Sequence, residues 1–159
     1  MATTIRLATN DDIPAILRLI KELATYERAE HEAVATTEQL NEALFGDSPT
    51  ATCHVGEVDG EVVAIALWFL NFSTWLGRPG LYLEDLYVTP EHRVSGIGLA
   101  LMKTLARHCV EMDYPRFQWW VLDWNEPSID FYKSLGAVAM DEWTVYRMSG
   151  QALEDFARS

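Results

Sequence analysis

Apolar and polar residues alternate over Thr3–Ala8, which predicts a first strand. The period then lengthens. Ile13, Ile16, Leu17, Ile20 and Leu23 recur at helical spacing, behind Asn10, Asp11 and Asp12 as cap and first-turn acids. Pro14 falls early enough to be tolerated, and the pattern predicts a helix running to about Tyr26. Thr36 and Gln39 form a capping-box pattern ahead of Leu40, Ala43, Leu44 and Phe45, which predicts a shorter helix. Ala51–Val58 is strand-like, Asp59-Gly60 is a hairpin turn signal, and Val62–Phe72 reads as a long strand buried on both faces. Ser73–Gly80 reads as a loop and Leu81–Val88 as the next strand. A helix over Leu99–Met112 turns Met102, Leu105, Ala106, Cys109 and Met112 inward, with Lys103, Arg107 and Glu111 outward. Phe117–Leu122 reads as a strand. Asn125 as cap and Pro127 in the first turn open a helix that Gly136 ends. Ala137–Met148 carries the alternation of a last hairpin, and Gln151–Phe156 that of a final short helix.

The order β-α-α-β-β-β-α-β-α-β predicts an α/β fold with a mixed central sheet and helices on both faces. The early hairpin demands antiparallel pairing, and the later β-α-β demands a parallel pair. No repeat, low-complexity tract or linker interrupts the chain, so residues 1–159 are expected to form a single domain. No run approaches the roughly 20 apolar residues of a membrane span. The start, MATTIRLATNDD, lacks the basic and apolar regions of a signal peptide, so a cytoplasmic location is expected. Cys53 and Cys109 lie on different predicted elements and read as buried free thiols. His31, His54, His92 and His108 form no ligand cluster, and no metal is expected. The formal net charge of −12 disfavours nucleic acid and anionic membrane as partners and suits a small cationic substrate.

Three stretches carry candidate chemistry. Arg93, Gly96 and Gly98 form R-x-x-G-x-G at the mouth of the predicted central helix. Backbone N–H groups at a helix N-terminus, with a forked cation beside them, suit a phosphate. The spacing is neither the dinucleotide fingerprint nor a P-loop. Next come Glu84 and Asp85, adjacent carboxylates inside an apolar strand. Neighbours on a strand face opposite ways, so one is buried unless the strand is bulged or opens onto a cleft. Such a carboxylate serves as a general base, as a cation anchor, or as a structural cap. The last stretch is WNEPSIDFY, Trp124–Tyr132, whose Tyr132 reads as a core tyrosine with a satisfied hydroxyl and whose helix N-terminus at Asn125–Ser128 is a second anchor site.

Taken in this order, RLIKELATYE (Arg18–Glu27), LYLEDLYV (Leu81–Val88), RVSGIG (Arg93–Gly98) and WNEPSIDFYKSLGA (Trp124–Ala137) give the chain its likeness to a family. It resembles the GCN5-related N-acetyltransferase superfamily, and within it the spermidine/spermine (diamine) and thialysine acetyltransferase group. The resemblance implies a mostly antiparallel sheet with a V-shaped splay. It implies transfer of an acetyl group from acetyl-CoA to a primary amine of a polyamine or diamine, by direct attack in a ternary complex.

By the same resemblance, Leu86, Tyr87 and Val88 would meet the pantetheine arm, and Arg93, Val94, Ser95, Gly96, Ile97, Gly98 and Leu99 the pyrophosphate. Asn125, Glu126, Pro127 and Ser128 would contact the cofactor further along. Tyr132 would protonate the leaving thiolate and Glu84 would accept the amine proton. Tyr26, Glu27, Glu84, Leu122, Asp123, Trp124 and Glu142 would line the amine site, with Asp141 as rival to Glu142. A homodimer is also implied. The chain departs from the family pattern at Val94 and Ser95, where a glycine and an aromatic are usual, and at Leu122-Asp123, where Ala-Glu is usual. Two other readings stand beside this one: an acetyltransferase for thialysine or a related diamino acid, and an acetyl-CoA-binding regulatory module without turnover.

Overall fold

The computed structural model describes residues 2–159. Its Cα framework forms two compact units, one reaching to Leu122 and the other spanning Asp123–Ser159.

The first unit is built on a sheet of β1 (Thr3–Leu7), β2 (Thr52–Val58), β3 (Glu61–Ser73), β4 (Arg78–Val88) and β5 (Phe117–Trp119), in that spatial order. The first four pair antiparallel with their chain neighbours, and β5 lies parallel to β4. Asp59 and Gly60 turn the β2–β3 hairpin at φ 50° and 84°, the left-handed conformations that a two-residue turn needs. Helices α1 (Ile13–Tyr26), α2 (Thr37–Phe45) and α3 (Ile97–Glu111) complete the unit. The capping box is realised, since the Thr36 hydroxyl accepts from the Gln39 N–H at 3.2 Å and the Gln39 side-chain oxygen accepts from the Thr36 N–H at 3.0 Å.

Period-2 alternation sorts the sheet into two faces. Cys53, Val55, Ile65, Leu67 and Tyr87 bury against Ile13, Ile16 and Leu19 of α1 and Leu40 and Leu44 of α2. Ile97 of α3 lies over Gly56, close to Ala64 and Ile5, on the opposite face. Trp68 shares that second face. Its indole N–H donates to His54 Nδ1 at 3.1 Å, and its ring lies 5.2 Å from that of His108, so two of the four histidines are packing residues. Both cysteines are buried, and burial pushes the Cys53 thiol up to about 12.

Several boundaries depart from the pattern-based expectation. Burial on both faces of β3 stops at Trp68, after which Leu70 and Phe72 are exposed. β4 begins at Arg78 rather than Leu81, because the antiparallel ladder continues to Ser73↔Arg78. α3 begins at Ile97, two residues before Leu99, since a left-handed Gly96 already serves as its cap. Its buried stripe is Ile97, Leu101, Met102, Leu105 and Cys109; Ala106 and Met112 fall out of phase and are exposed. β5 stops at Trp119, where its ladder with β4 ends.

In the second unit, α4 (Glu126–Ser134) is capped by Asn125, whose side-chain oxygen accepts from the Ser128 N–H at 3.4 Å. The expected hairpin over Ala137–Met148 is absent: the segment is irregular, with a turn at Asp141–Glu142. Alternation alone cannot hold a strand without a ladder partner, and the described residues of this unit contain none. α5 (Gly150–Arg158) is longer than the expected helix. Among the described residues, no helix is long and apolar enough to cross a membrane.

Candidate active site

β4 creates the site through an irregularity in its register. Leu67 pairs with Asp85 and Trp68 with Leu83, so Glu84 is an extra residue with no partner on β3. A bulge of this kind rotates the residues after it and re-aims a side chain. It resolves the problem of adjacent carboxylates on an apolar strand: Glu84 is exposed, and Asp85 is half-buried beneath α1 on the same face as Leu67. The pairing of β4 with β5 ends at Leu83↔Trp119, just before the bulge. The two strands part there, and Asp85–Val88 continue with β3 on one edge and, among the described residues, no strand on the other. Backbone groups of Leu86, Tyr87 and Val88 along that open edge suit the amides of an extended ligand.

The bulge gathers negative charge. Burial, and then Glu84 and Glu27, push Asp85 up to about 7. Glu27, the residue that caps α1, is also raised, by burial and by Glu84. Tyr82 is raised to about 12, by burial and by both carboxylates. Asp85, the covered member of the pair flagged in the sequence, is therefore held near neutrality. No sequence signal told the two apart, because the bulge decides which is covered.

This has a consequence for stability. Unfolded, Asp85 titrates near 3.8; folded, it binds its proton up to about 7. Between these values the native state holds more protons, so stability falls as pH rises through that window. Asp85→Asn should stabilise the fold by about 2 kcal/mol at pH 8, half of the unscreened value because solvent reaches the group. The gain should vanish near pH 4. Denaturant unfolding of both proteins at the two pH values checks this, and an equal gain at both would contradict it.

The candidate anion loop, Arg93–Leu99, follows β4. The short turn Pro90–His92 leads into Arg93, and Gly96 caps α3 at φ 91°, where no side chain performs the capping. A Cβ at Gly96 would meet nothing within 4 Å, and one at Gly98 would meet only Val88, at 3.6 Å. The loop backbone is thus open, and the first-turn N–H groups of Ile97, Gly98 and Leu99 have no partner within the helix ladder. These features fit a pyrophosphate. Ser95 donates its hydroxyl to the His92 carbonyl, which folds the loop back on itself. Val94 sits at φ 57° and is fully exposed. A β-branched residue is strained there by roughly 1–2 kcal/mol, with no packing to offset it. Val94→Gly should therefore raise stability by about 1 kcal/mol after the entropy that glycine adds to the unfolded chain. A thermal melt checks this; a lower midpoint would show that Val94 is unstrained.

Arg93 is held on three sides. Its Nε donates to the Val88 carbonyl at 3.1 Å, and its guanidinium carbon lies 5.3 Å from the Tyr26 ring centre and 5.4 Å from that of Tyr87. Tyr26 is expected at the amine and Tyr87 to act through its backbone; the structure sets both rings against Arg93. The first unit so brings together Tyr26, Tyr87 and Arg93, and couples Glu27, Glu84 and Asp85. Leu122 ends this unit and is exposed.

In the second unit, Asp123 and Trp124 form a turn ahead of the buried cap Asn125, with Glu126, Pro127 and Ser128 in the first turn of α4. Tyr132 is half-buried on α4, its ring 5.6 Å from that of Phe131. Asp141 and Glu142 are both exposed. Among the described residues, no group of three or more His, Cys, Asp or Glu is placed to hold a metal ion.

Residues 15–137 match the Acetyltransferase (GNAT) family. The chain belongs to this family. Its kinship falls in the diamine and thialysine group. It is 38% identical to a thialysine N-epsilon-acetyltransferase of Bos taurus, over 96% of each chain. It is 34% identical to spermidine/spermine N(1)-acetyltransferase-like protein 1 of Homo sapiens, over 96% of this chain and 23% of that one. Among solved structures, an integron cassette protein from the V. cholerae mobile metagenome superposes with a TM-score of 0.84 at 26% identity, covering 100% of this chain and 99% of that one. The chain is thus an amine N-acetyltransferase, and acetyl-CoA is the cosubstrate of this family.

Proposed function

We propose that the chain acetylates a primary amine of a polyamine or diamine, with residues 1–159 acting as one acetyltransferase domain. The observation that carries this reading is the carboxylate cluster at the β4 bulge. Burial, and then repulsion from Glu84 and Glu27, holds Asp85 at about 7, and Glu27 is raised by burial and by Glu84. A flexible aliphatic cation relieves that repulsion, whereas a neutral or anionic acceptor would not. The net charge of −12 favours capture of such a cation.

In this reading the amine nitrogen attacks the thioester carbonyl in a ternary complex, a C–N bond forms, and the C–S bond breaks. An alkyl ammonium near pH 7 is almost wholly protonated, so a proton must leave before attack. Glu84 accepts it, directly or through water, and Tyr132 supplies a proton to the departing thiolate. The open edge of β4 at Leu86–Val88 holds the pantetheine arm and offers an N–H to the carbonyl oxygen as charge develops there. Arg93–Leu99 hold the pyrophosphate, and Asn125–Ser128 contact the cosubstrate further along. By family resemblance, Tyr26, Leu122, Asp123, Trp124 and Glu142 are assigned to the amine together with Glu27 and Glu84. A cytoplasmic homodimer completes the reading, and sedimentation tests the dimer.

A second reading, acetylation of the side-chain amine of thialysine or a related diamino acid, is favoured by the named activity of the Bos taurus relative. A diamino acid adds a carboxylate, which needs a cation in the pocket. One assay separates the readings: CoA release with spermidine, spermine, putrescine, thialysine, lysine and a basic peptide. The higher kcat/KM for spermidine or putrescine supports the first, and for thialysine the second. Tight acetyl-CoA binding without amine-dependent release would overturn both.

A further inference from the structure

We propose that Tyr26 and Tyr87 clamp Arg93 so that occupation of the anion loop fixes the C-terminus of α1 and strengthens amine binding at Glu27. The proposal rests on the acetyl-transfer reading above.

A guanidinium has two flat faces and an edge of N–H donors, and these can be used at the same time. The Arg93 guanidinium carbon lies 5.3 Å and 5.4 Å from two tyrosine ring centres, inside the cation–π range. The Nε edge serves the Val88 carbonyl at 3.1 Å. The Tyr87 hydroxyl is hydrogen-bonded to the same guanidinium, and the Nη donors not engaged there are left to meet a phosphate oxygen. A cation held on three sides is already oriented for its anion, and less entropy is lost on binding.

The two rings come from different elements. Tyr87 is buried on β4, just past the bulge, whereas Tyr26 is the last residue of α1 and is 36% exposed. Glu27 follows Tyr26 directly, and its N–H donates to the Leu23 carbonyl at 2.9 Å. Beyond it the chain reverses through Arg28 at φ 62°, a rare conformation for a side chain of this size. The end of α1 is therefore a defined corner. Moving Tyr26 moves Glu27, and Glu27 already senses Glu84.

The linkage is reciprocal. An anion that immobilises Arg93 immobilises the Tyr26 ring, and so sets the carboxylate that receives the amine. Tyr26 is then a positioning residue for the amine site as well as part of its wall. A residue serving only as wall would contribute equally whether or not the anion loop were filled.

The test measures spermidine affinity by calorimetry with and without CoA, which carries the phosphates but no transferable acetyl group. The proteins compared are the parent, Tyr26→Leu and Tyr26→Phe. CoA should tighten spermidine binding about fivefold to tenfold in the parent and in the Phe variant, which keeps a ring for the cation. In the Leu variant the tightening should fall below twofold. Equal tightening in the Leu variant, or none in the parent, would overturn the clamp. A parent that binds CoA and acetylates spermidine without this Tyr26 dependence would lose the clamp alone. A parent that releases no CoA with any amine would lose the acetyl-transfer reading, and the clamp with it. Because Tyr26 is partly exposed, the Leu variant should fold; a matching thermal midpoint confirms that the comparison is sound.

Discussion

Tyr132→Phe should lower kcat by about two orders of magnitude and leave acetyl-CoA affinity within twofold. The substitution keeps the ring that lies 5.6 Å from Phe131 on α4 and removes only the hydroxyl. In the proposed reaction a thiolate departs as the tetrahedral species collapses. A thiol of ordinary acidity, near pKa 8.5, is a tolerable leaving group, so water can replace part of the lost donor. This places the loss near the lower end of the 10²- to 10⁴-fold range of general acid catalysis. Two measurements separate a proton donor from a packing residue. Single-turnover rates should fall while the dissociation constant for acetyl-CoA holds, since the lost interaction exists only in the transition state. An acetyl thioester of a more acidic thiol should recover much of the lost rate, because its leaving group needs less help. Unchanged turnover in the Phe variant would remove Tyr132 from the chemistry.

Much of the fold was legible because its signals are local. The helical spacing from Ile13 to Leu23, the Thr36–Gln39 box, the Asp59-Gly60 turn and the Asn125 cap each specify their element within a few residues. The Ala137–Met148 segment shows the limit of such reading. Its alternation is as clear as that of β1, but a strand is a property of a pair. The site was legible in the same uneven way. R-x-x-G-x-G marked the open entrance of α3, since a left-handed Gly96 and an open first turn are backbone features tied to glycine. Glu84-Asp85 marked the carboxylates and left open which was covered. That depends on one extra residue in the β3–β4 ladder, set by pairing with Leu67 and Trp68 more than twelve positions away in the chain. The tyrosine rings on Arg93 were beyond reach for the same reason: Tyr26 and Arg93 are distant in sequence and meet only when α1 lies over β4.

Glu84→Gln should lower kcat by roughly a hundredfold and flatten the acid limb of the pH–rate profile. The substitution preserves shape at the bulge and removes one charge. An alkyl amine with a pKa near 10.4 is unprotonated in only about one molecule in a few thousand at pH 7, so the proton acceptor governs how much of the bound amine can react. In the parent, kcat/KM should rise as pH increases through about 7, where Asp85 ionises and the cluster gains its full charge. The amine is deprotonated further over the same interval, so the rise should continue above it. Glu84→Gln acts on this profile in two separable ways. As proton acceptor, Glu84 is lost and kcat falls at every pH. As a charge beside Asp85 and Glu27, its removal relieves repulsion, and both carboxylates should ionise at lower pH than in the parent. Carbon-detected titration of Asp85 reads the second effect independently of turnover. A fall in the Asp85 midpoint with kcat within twofold of the parent would make Glu84 a structural charge and move the proton-accepting role elsewhere. A hundredfold loss with the same fall in midpoint would assign both roles to Glu84, because a carboxylate that only tunes its neighbour cannot remove turnover at a pH where that neighbour is fully ionised in both proteins.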